Sequence, residues 1–193
     1  MKIKEIKIFQ VNLTMKEGHY SWSNQSFRSF DSTVVEIITN QGISGFGEIC
    51  PLGPSYLPSY SEGVRVGIKK LSEILLGKDP SNINNINFLM DNALKGHPYV
   101  KSAVDIACWD ILGKKMNIPV YTLLGGKLQS KVKLFKVISR DIPEIMQEKV
   151  NEYQEQGYQQ FQMKVGAEPT VDISRIKLVS KDLKAGNILG ADA

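Results

Sequence analysis

The chain has 193 residues, 42% of them hydrophobic and 23% charged, with a net charge of +4. That is an ordinary globular composition, away from the low-hydrophobicity, high-charge range of disordered chains. The charge is +2 on residues 1–125 and +2 on residues 126–193, so no basic stripe points to nucleic acid or a membrane surface.

Residues 2–14 alternate charged and apolar side chains, the pattern of a strand. A polar stretch with aromatic residues follows, from Lys16 to Phe30. The β-branched run Thr33 to Thr39, the turn Asn40-Gln41-Gly42 and the return Ile43 to Ile49 predict a hairpin. Gly45 and Gly47 in the return strand predict a close backbone approach or a bulge. A Pro/Gly/Ser/Tyr loop, Pro51 to Tyr60, leads into three helices. Val64, Ile68, Leu71 and Leu75 mark one face of the first, and the second spans about 82–95. The third, about 98–116, is apolar or small on most sides and is expected to be buried, with Asp105 and Asp110 paired or capping. Strands followed by helices read as an α+β domain ending near Gly125-Gly126.

Beyond residue 126 the rhythm changes. A strand at 131–139, a helix ending at Gly157, a strand at 160–165, a helix through Ile173 and Leu183, and a strand at 187–191 follow one another. This alternation predicts a parallel α/β structure, either a barrel or a doubly wound sheet.

The strand at 160–165 carries the clearest chemistry. Phe161, Met163 and Val165 share one face, and Gln162 and Lys164 share the other. In a β/α barrel Lys164 would point inward near the carboxyl end, where barrel enzymes place catalytic groups. The competing reading is an edge strand with one solvated face. Asp192 ends the next strand at the equivalent position, where a carboxylate suits a divalent cation. A lone Asp there is more often a turn or capping residue. Trp22 and Tyr56, on loops, are candidate substrate contacts, with partial burial as the alternative.

Composition narrows the options. Cys50 and Cys108, far apart in sequence and in no C-x-x-C pair, do not point to a disulfide framework or a cysteine zinc site. Two histidines cannot form an all-histidine metal site, so a metal would use carboxylates. No phosphate loop, G-x-G-x-x-G or Ser/His/Asp set stands out. The first residues lack a signal-peptide run and no stretch reaches membrane length, so the expectation is a reduced, cytoplasmic protein.

Taken together, Gly42-Ile43-Ser44-Gly45-Phe46-Gly47-Glu48, the helix Lys101 to Lys114, Pro119-Val120-Tyr121-Thr122-Leu123-Leu124-Gly125-Gly126 and Phe161-Gln162-Met163-Lys164-Val165-Gly166 resemble the enolase superfamily. The resemblance is to its mandelate racemase/muconate lactonizing enzyme branch, and it runs over essentially the whole chain. It implies an α+β capping domain at 1–125 and the first units of a TIM-like β/α barrel at 126–193. It implies substrate contacts from loops near 16–28 and 51–60. Lys164 matches the general base, the second lysine of a Lys-x-Lys motif whose first lysine is here Gln162, a further candidate substrate contact. Asp192 matches the first of three carboxylate ligands to Mg²⁺. Such sites pair a lysine or histidine base with Mg²⁺. A lysine base must be made neutral by its surroundings, and Gln162 cannot help by charge. Within the branch, the Pro51 to Tyr56 loop and the Phe161 to Lys164 segment look most like enzymes of proline derivatives. These are cis-3-hydroxyproline dehydratases and proline betaine epimerases. The implied partner is a small carboxylate substrate, and an even-numbered homo-oligomer is expected from the resemblance.

An eight-fold barrel takes roughly 200 residues or more, so residues 126–193 are expected to form an incomplete one. A 193-residue chain of this kind is expected to be inactive alone. The alternative is a non-catalytic relative or a binding module.

Overall fold

The computed structural model describes residues 1–22 and 25–193. Residues 23 and 24, within the loop assigned to substrate contact, lie outside the described residues. Two compact units are present: Met1–Leu13 with Phe30–Leu128, and Thr14–Ser29 with Gln129–Ala193. The segment 14–29 therefore groups with the second unit, although the sequence reading attached it to the first domain. No helix of the described residues is long and apolar enough to cross a membrane.

In the first unit, β1 (Ile3–Thr14), β4 (Ser29–Thr39) and β5 (Ser44–Ile49) form a sheet with β4 central. The hairpin is antiparallel, with Val35 opposite Gly47 and Ile37 opposite Gly45. Three helices cover the sheet: α1 (Ser61–Leu75), α2 (Ile83–Ala93) and α3 (Pro98–Met116). Ile3, Val35 and Ile37 meet Val64, Ile68, Leu71 and Leu75 of α1, Ile86 and Met90 of α2, and Ala103, Ala107 and Ile111 of α3 in one buried cluster. The glycine expectation is borne out. A Cβ at Gly47 would lie 1.9 Å from the Ala103 carbonyl oxygen, and one at Gly45 would lie 2.3 Å from that of Ala107. Only glycine lets α3 approach β5 this closely.

The acids of α3 are paired, as expected. Asp110 accepts the Phe46 N–H at 2.9 Å and the Lys114 ammonium at 2.7 Å, and Lys114 also donates to the Ser44 carbonyl at 2.8 Å. These two side chains cover backbone groups on edge strand β5, which would otherwise be open to pairing with another chain. Asp105 accepts from Asn87 of α2 at 2.8 Å. Burial of α3 is one-sided, contrary to expectation: Ile106 is 47% exposed. Its buried stripe (Val100, Ala103, Val104, Ala107, Cys108, Ile111) already fills the contact with the sheet and its companion helices. A short helix, α4 (Val120–Leu123), follows.

In the second unit, β6 (Phe135–Ile138), β7 (Gln160–Lys164) and β8 (Ile188–Asp192) are parallel, in that order. α5 (Pro143–Glu155) and α6 (Pro169–Lys181) connect them. β6 is shorter than the sequence pattern, since residues 131–134 form no strand. β7 is the central strand, which corrects the edge-strand reading. Gly157, at φ +92°, follows α5 as expected of a residue past a helix end. The aromatic stretch after β1 is a small antiparallel hairpin, β2 (Tyr20–Trp22) and β3 (Gln25–Phe27).

Candidate functional site

Phe161, Met163 and Val165 are buried with Ile138, Met146, Val150, Tyr153 and Val179. One face of the parallel sheet is thus committed to α5 and α6, and the pleat sends Gln162 and Lys164 to the other. The register sets Lys164 beside Asp192 and Gln162 between Val137 and Gly190. Lys164 Nζ donates to Asp192 Oδ2 at 2.5 Å, and Gln162 Nε2 donates to the same oxygen at 2.9 Å. Three of the five residues singled out from the sequence, Lys164, Gln162 and Asp192, therefore share one hydrogen-bonded cluster at the carboxyl end of the sheet.

The electrostatics differ from the sequence expectation of a neutral lysine. Burial draws the Lys164 ammonium down, but its hydrogen bond to Asp192, the charge interactions with Tyr20 and Asp192, and a hydrogen bond with Tyr20 outweigh it. Its pKa lies above the ordinary lysine value, so in this arrangement Lys164 is a cation held by a carboxylate.

Tyr20 was not singled out in the sequence, because a tyrosine in a polar stretch carries no spacing signal. The hairpin delivers it. The Arg140 N–H donates to the Ser21 carbonyl at 3.0 Å, Lys136 pairs with Glu17 at 2.7 Å, and His19 Nε2 lies 3.6 Å from Asp141 Oδ2. These contacts hold the hairpin on the chain at and just after β6. Trp22 lies in the same hairpin, its ring 5.0 Å from Tyr20 and stacked on Phe27 at 4.6 Å. Tyr56 lies in the first unit, 57% exposed, in a turn where its N–H donates to the Gly53 carbonyl.

Asp192 suits a hard divalent cation: it is an oxygen donor, 39% exposed, at the carboxyl end of a strand. Among the described residues no three His, Cys, Asp or Glu side chains gather into a metal-binding group.

The chain is 54% identical over its whole length to cis-3-hydroxy-L-proline dehydratase of Roseibium aggregatum, covering 53% of that protein. It is 35% identical to N-succinyl-L-Arg/Lys racemase of Bacillus cereus over 97% of the chain and 50% of the relative. The crystal structure of N-succinyl Arg/Lys racemase from Bacillus cereus matches all of the chain at a TM-score of 0.94 and 34% identity, over 52% of its own length. A member of the enolase superfamily from Roseovarius nubinhibens, crystallised with magnesium, matches at a TM-score of 0.86 and 38% identity, over 52% of its length. The chain thus spans about half the length of the curated relatives it matches. The model of the mandelate racemase/muconate lactonizing enzyme N-terminal domain matches residues 3–125, and with the lysine–carboxylate cluster on a parallel sheet beyond it, the chain belongs to that family of the enolase superfamily.

Proposed function

We propose that this chain serves the removal of the α-hydrogen of a small carboxylate, with cis-3-hydroxy-L-proline as the substrate and dehydration as the outcome. The carrying observation is the juxtaposition of Lys164, Gln162 and Asp192 on the face of the sheet that α5 and α6 leave uncovered. The 54% identity to a cis-3-hydroxy-L-proline dehydratase supports the choice of substrate. In this proposal residues 1–125 are the capping domain and residues 126–193 open a β/α barrel.

A hydrogen α to a carboxylate is weakly acidic, because its removal adds negative charge to a group already charged. Mg²⁺, when bound, supplies positive charge that stabilises the charge developing on the substrate carboxylate, and Asp192 is the ligand this chain brings. To take the α-hydrogen as a proton, the Lys164 ammonium must first release its own proton to solvent and leave its pairing with Asp192, since only the neutral amine is a base. Gln162 donates to the same Asp192 oxygen as Lys164 and orients that carboxylate. The electron pair left at C2 forms the C2–C3 double bond as the C3 hydroxyl departs, and with a proton it leaves as water. A substrate with no leaving group at C3 is reprotonated instead, and reprotonation on the opposite face is epimerisation. Trp22 and Tyr56 are the substrate contacts of this proposal, and their alanine variants should raise KM.

The test is solvent-deuterium exchange at C2 of cis-3-hydroxy-L-proline, with Mg²⁺ and with a chelator, on a protein that carries this chain within a complete barrel. Exchange and water loss are expected with Mg²⁺ and not with the chelator, and Lys164→Ala should remove both by about a hundredfold or more. Undiminished exchange in Lys164→Ala overturns the assignment of the base.

A further inference from the structure

Lys164 is the last residue of β7; the Val165 N–H still donates to the Asp192 carbonyl at 2.8 Å, and the chain then leaves the sheet through Gly166 and Ala167. Gly166 has φ +99°. Glycine is the most permissive joint a backbone can have, so the turn two residues beyond the base is only as fixed as its partners make it. One carboxylate fixes it. Asp172 Oδ2, in the first turn of α6, accepts the Gly166 N–H at 3.0 Å and the Ala167 N–H at 2.9 Å. Its other oxygen accepts from Arg175 NH1 at 2.7 Å. Arg175 Nε donates to the Asp141 carbonyl at 2.7 Å, in the turn that follows β6. Asp141 caps the Ile142 N–H with its own carboxylate, whose other oxygen faces His19.

An Asp and an Arg three residues apart on a helix usually form a solvated surface pair worth a few tenths of a kcal/mol. This pair is different. Arg175 is 7% exposed, and the remaining hydrogen bonds of the pair go to the backbone of two separate turns rather than to water. A buried ion pair is weak evidence for stability, since desolvation offsets its attraction. What this one supplies is geometry: it ties the turns leaving β6 and β7 into one unit beside Lys164.

We propose that Arg175 and Asp172 are positioning residues for the Lys164 amine, clamping the turn after β7 to the turn after β6. The proposal rests on the reading of Lys164 as the base. A reacting group displaced by about 1 Å can cost about a hundredfold in rate. The expected result for Arg175→Met is therefore a kcat about 30-fold lower, with KM within about twofold of wild type.

Loss of folded protein would also lower kcat, so the deciding readout is the isotope effect on kcat with cis-3-hydroxy-L-proline deuterated at C2, which does not depend on enzyme concentration. A misplaced base makes proton transfer more limiting and raises the effect; fewer folded molecules leave it unchanged. Arg175→Lys, which restores the charge and one hydrogen bond, should recover part of the loss. Amide hydrogen exchange at Gly166 and Ala167 should quicken in Arg175→Met while the rest of β7 stays protected. If Arg175→Met does not fold, Asp172→Asn, of the same size, is read in the same way. A wild-type isotope effect in the folded variant overturns the clamp. When Lys164→Ala has abolished exchange, that result leaves the base reading standing; if Lys164→Ala still exchanges, the base reading falls and the clamp's role with it.

Discussion

Each unit ties a loop with an Asp–Arg pair, but the two sheets spend their polar groups differently. In the first unit Arg65 grips Asp31 with both terminal nitrogens, at 2.8 and 2.9 Å, and Ser61 donates to the Asp31 carbonyl at 2.6 Å. This closes the base of the loop 51–60 by joining β4 to α1. The sheet beside it is pressed against α3 through two glycines, and Asp110 and Lys114 of that helix are used up on edge-strand backbone. In the second unit α5 and α6 cover one face of the sheet. The other face carries Gln162 and Lys164, each bonded to Asp192. A sheet closed at backbone distance turns its charged neighbours into structure. A sheet with one face left to polar groups can gather them into a reactive cluster.

The contrast breaks most severely at Gly47. A valine there must force α3 off β5, since even its Cβ would lie 1.9 Å from the Ala103 oxygen. Overpacking against backbone cannot be relieved by a rotamer change, and a loss of about 4 kcal/mol or more is expected. Cys108 reports it: burial pushes its thiol up to about 12, so it is unreactive in the folded unit. Rapid labelling of Cys108 in Gly47→Val at neutral pH is the expected outcome, and labelling as slow as wild type would refute the close-packing account.

Arg65→Met comes next. It leaves the half-buried Asp31 carboxylate without its two-pronged partner, at an expected cost of about 2 kcal/mol in denaturant unfolding. The protein should remain folded. An unchanged midpoint would mean that the loop 51–60 is held by Ser61 and its own turn alone.

Acid should separate the units. In the second, burial raises Asp172, but the Ala167 N–H, Arg175 and the Gly166 N–H outweigh it and hold the carboxyl below its usual range. Glu17 is likewise raised by burial and brought below its usual value by Lys136 and Tyr153. A carboxyl depressed in the folded state adds stability that is present above its unfolded pKa of about 4 and is lost as the pH falls through the folded value. In the first unit Asp79 is also depressed, against burial, chiefly by Ser81 two residues away and further by the N-terminal amine and Lys115, so its protonation loosens chiefly one local turn. Glu17 and Lys136 are 119 positions apart in sequence. Amide exchange followed from about pH 5 to pH 3 should therefore show the second unit losing protection first. The opposite order would show that long-range anchors do not govern its stability.

Much of this was legible in the sequence where a local pattern carries the physics. Alternation at 160–165 foretold which side chains of β7 are buried, Gly45 and Gly47 foretold a close backbone approach, and the acids on α3 foretold partners. The hairpin at 20–27 was not legible. Its partners, Ser139 to Asp141, lie more than a hundred residues away, and no local period records such a contact. Arg175 was missed for a related reason: an Asp-x-x-Arg on a helix looks the same whether it faces water or the backbone of two turns. The pairing of Lys164 with Asp192 was legible from their equivalent places on neighbouring strands, but the contact of Tyr20 with Lys164 was not, since it depends on the same distant hairpin.

The smallest expected effect sharpens the comparison most. Gly190 lies in β8 opposite Gln162, and a Cβ there would find only the Phe161 oxygen, at 3.8 Å, an ordinary contact. Its φ is not in the left-handed region, so alanine fits the backbone and restricts the unfolded chain, which favours folding. Gly190→Ala should therefore leave unfolding within about 0.5 kcal/mol of wild type, while Gly47→Ala, on the same scale, should cost several times more. If the two cost the same, the second sheet is packed as closely as the first. Its polar face would then be a filled surface, with no room beside Lys164 for a substrate.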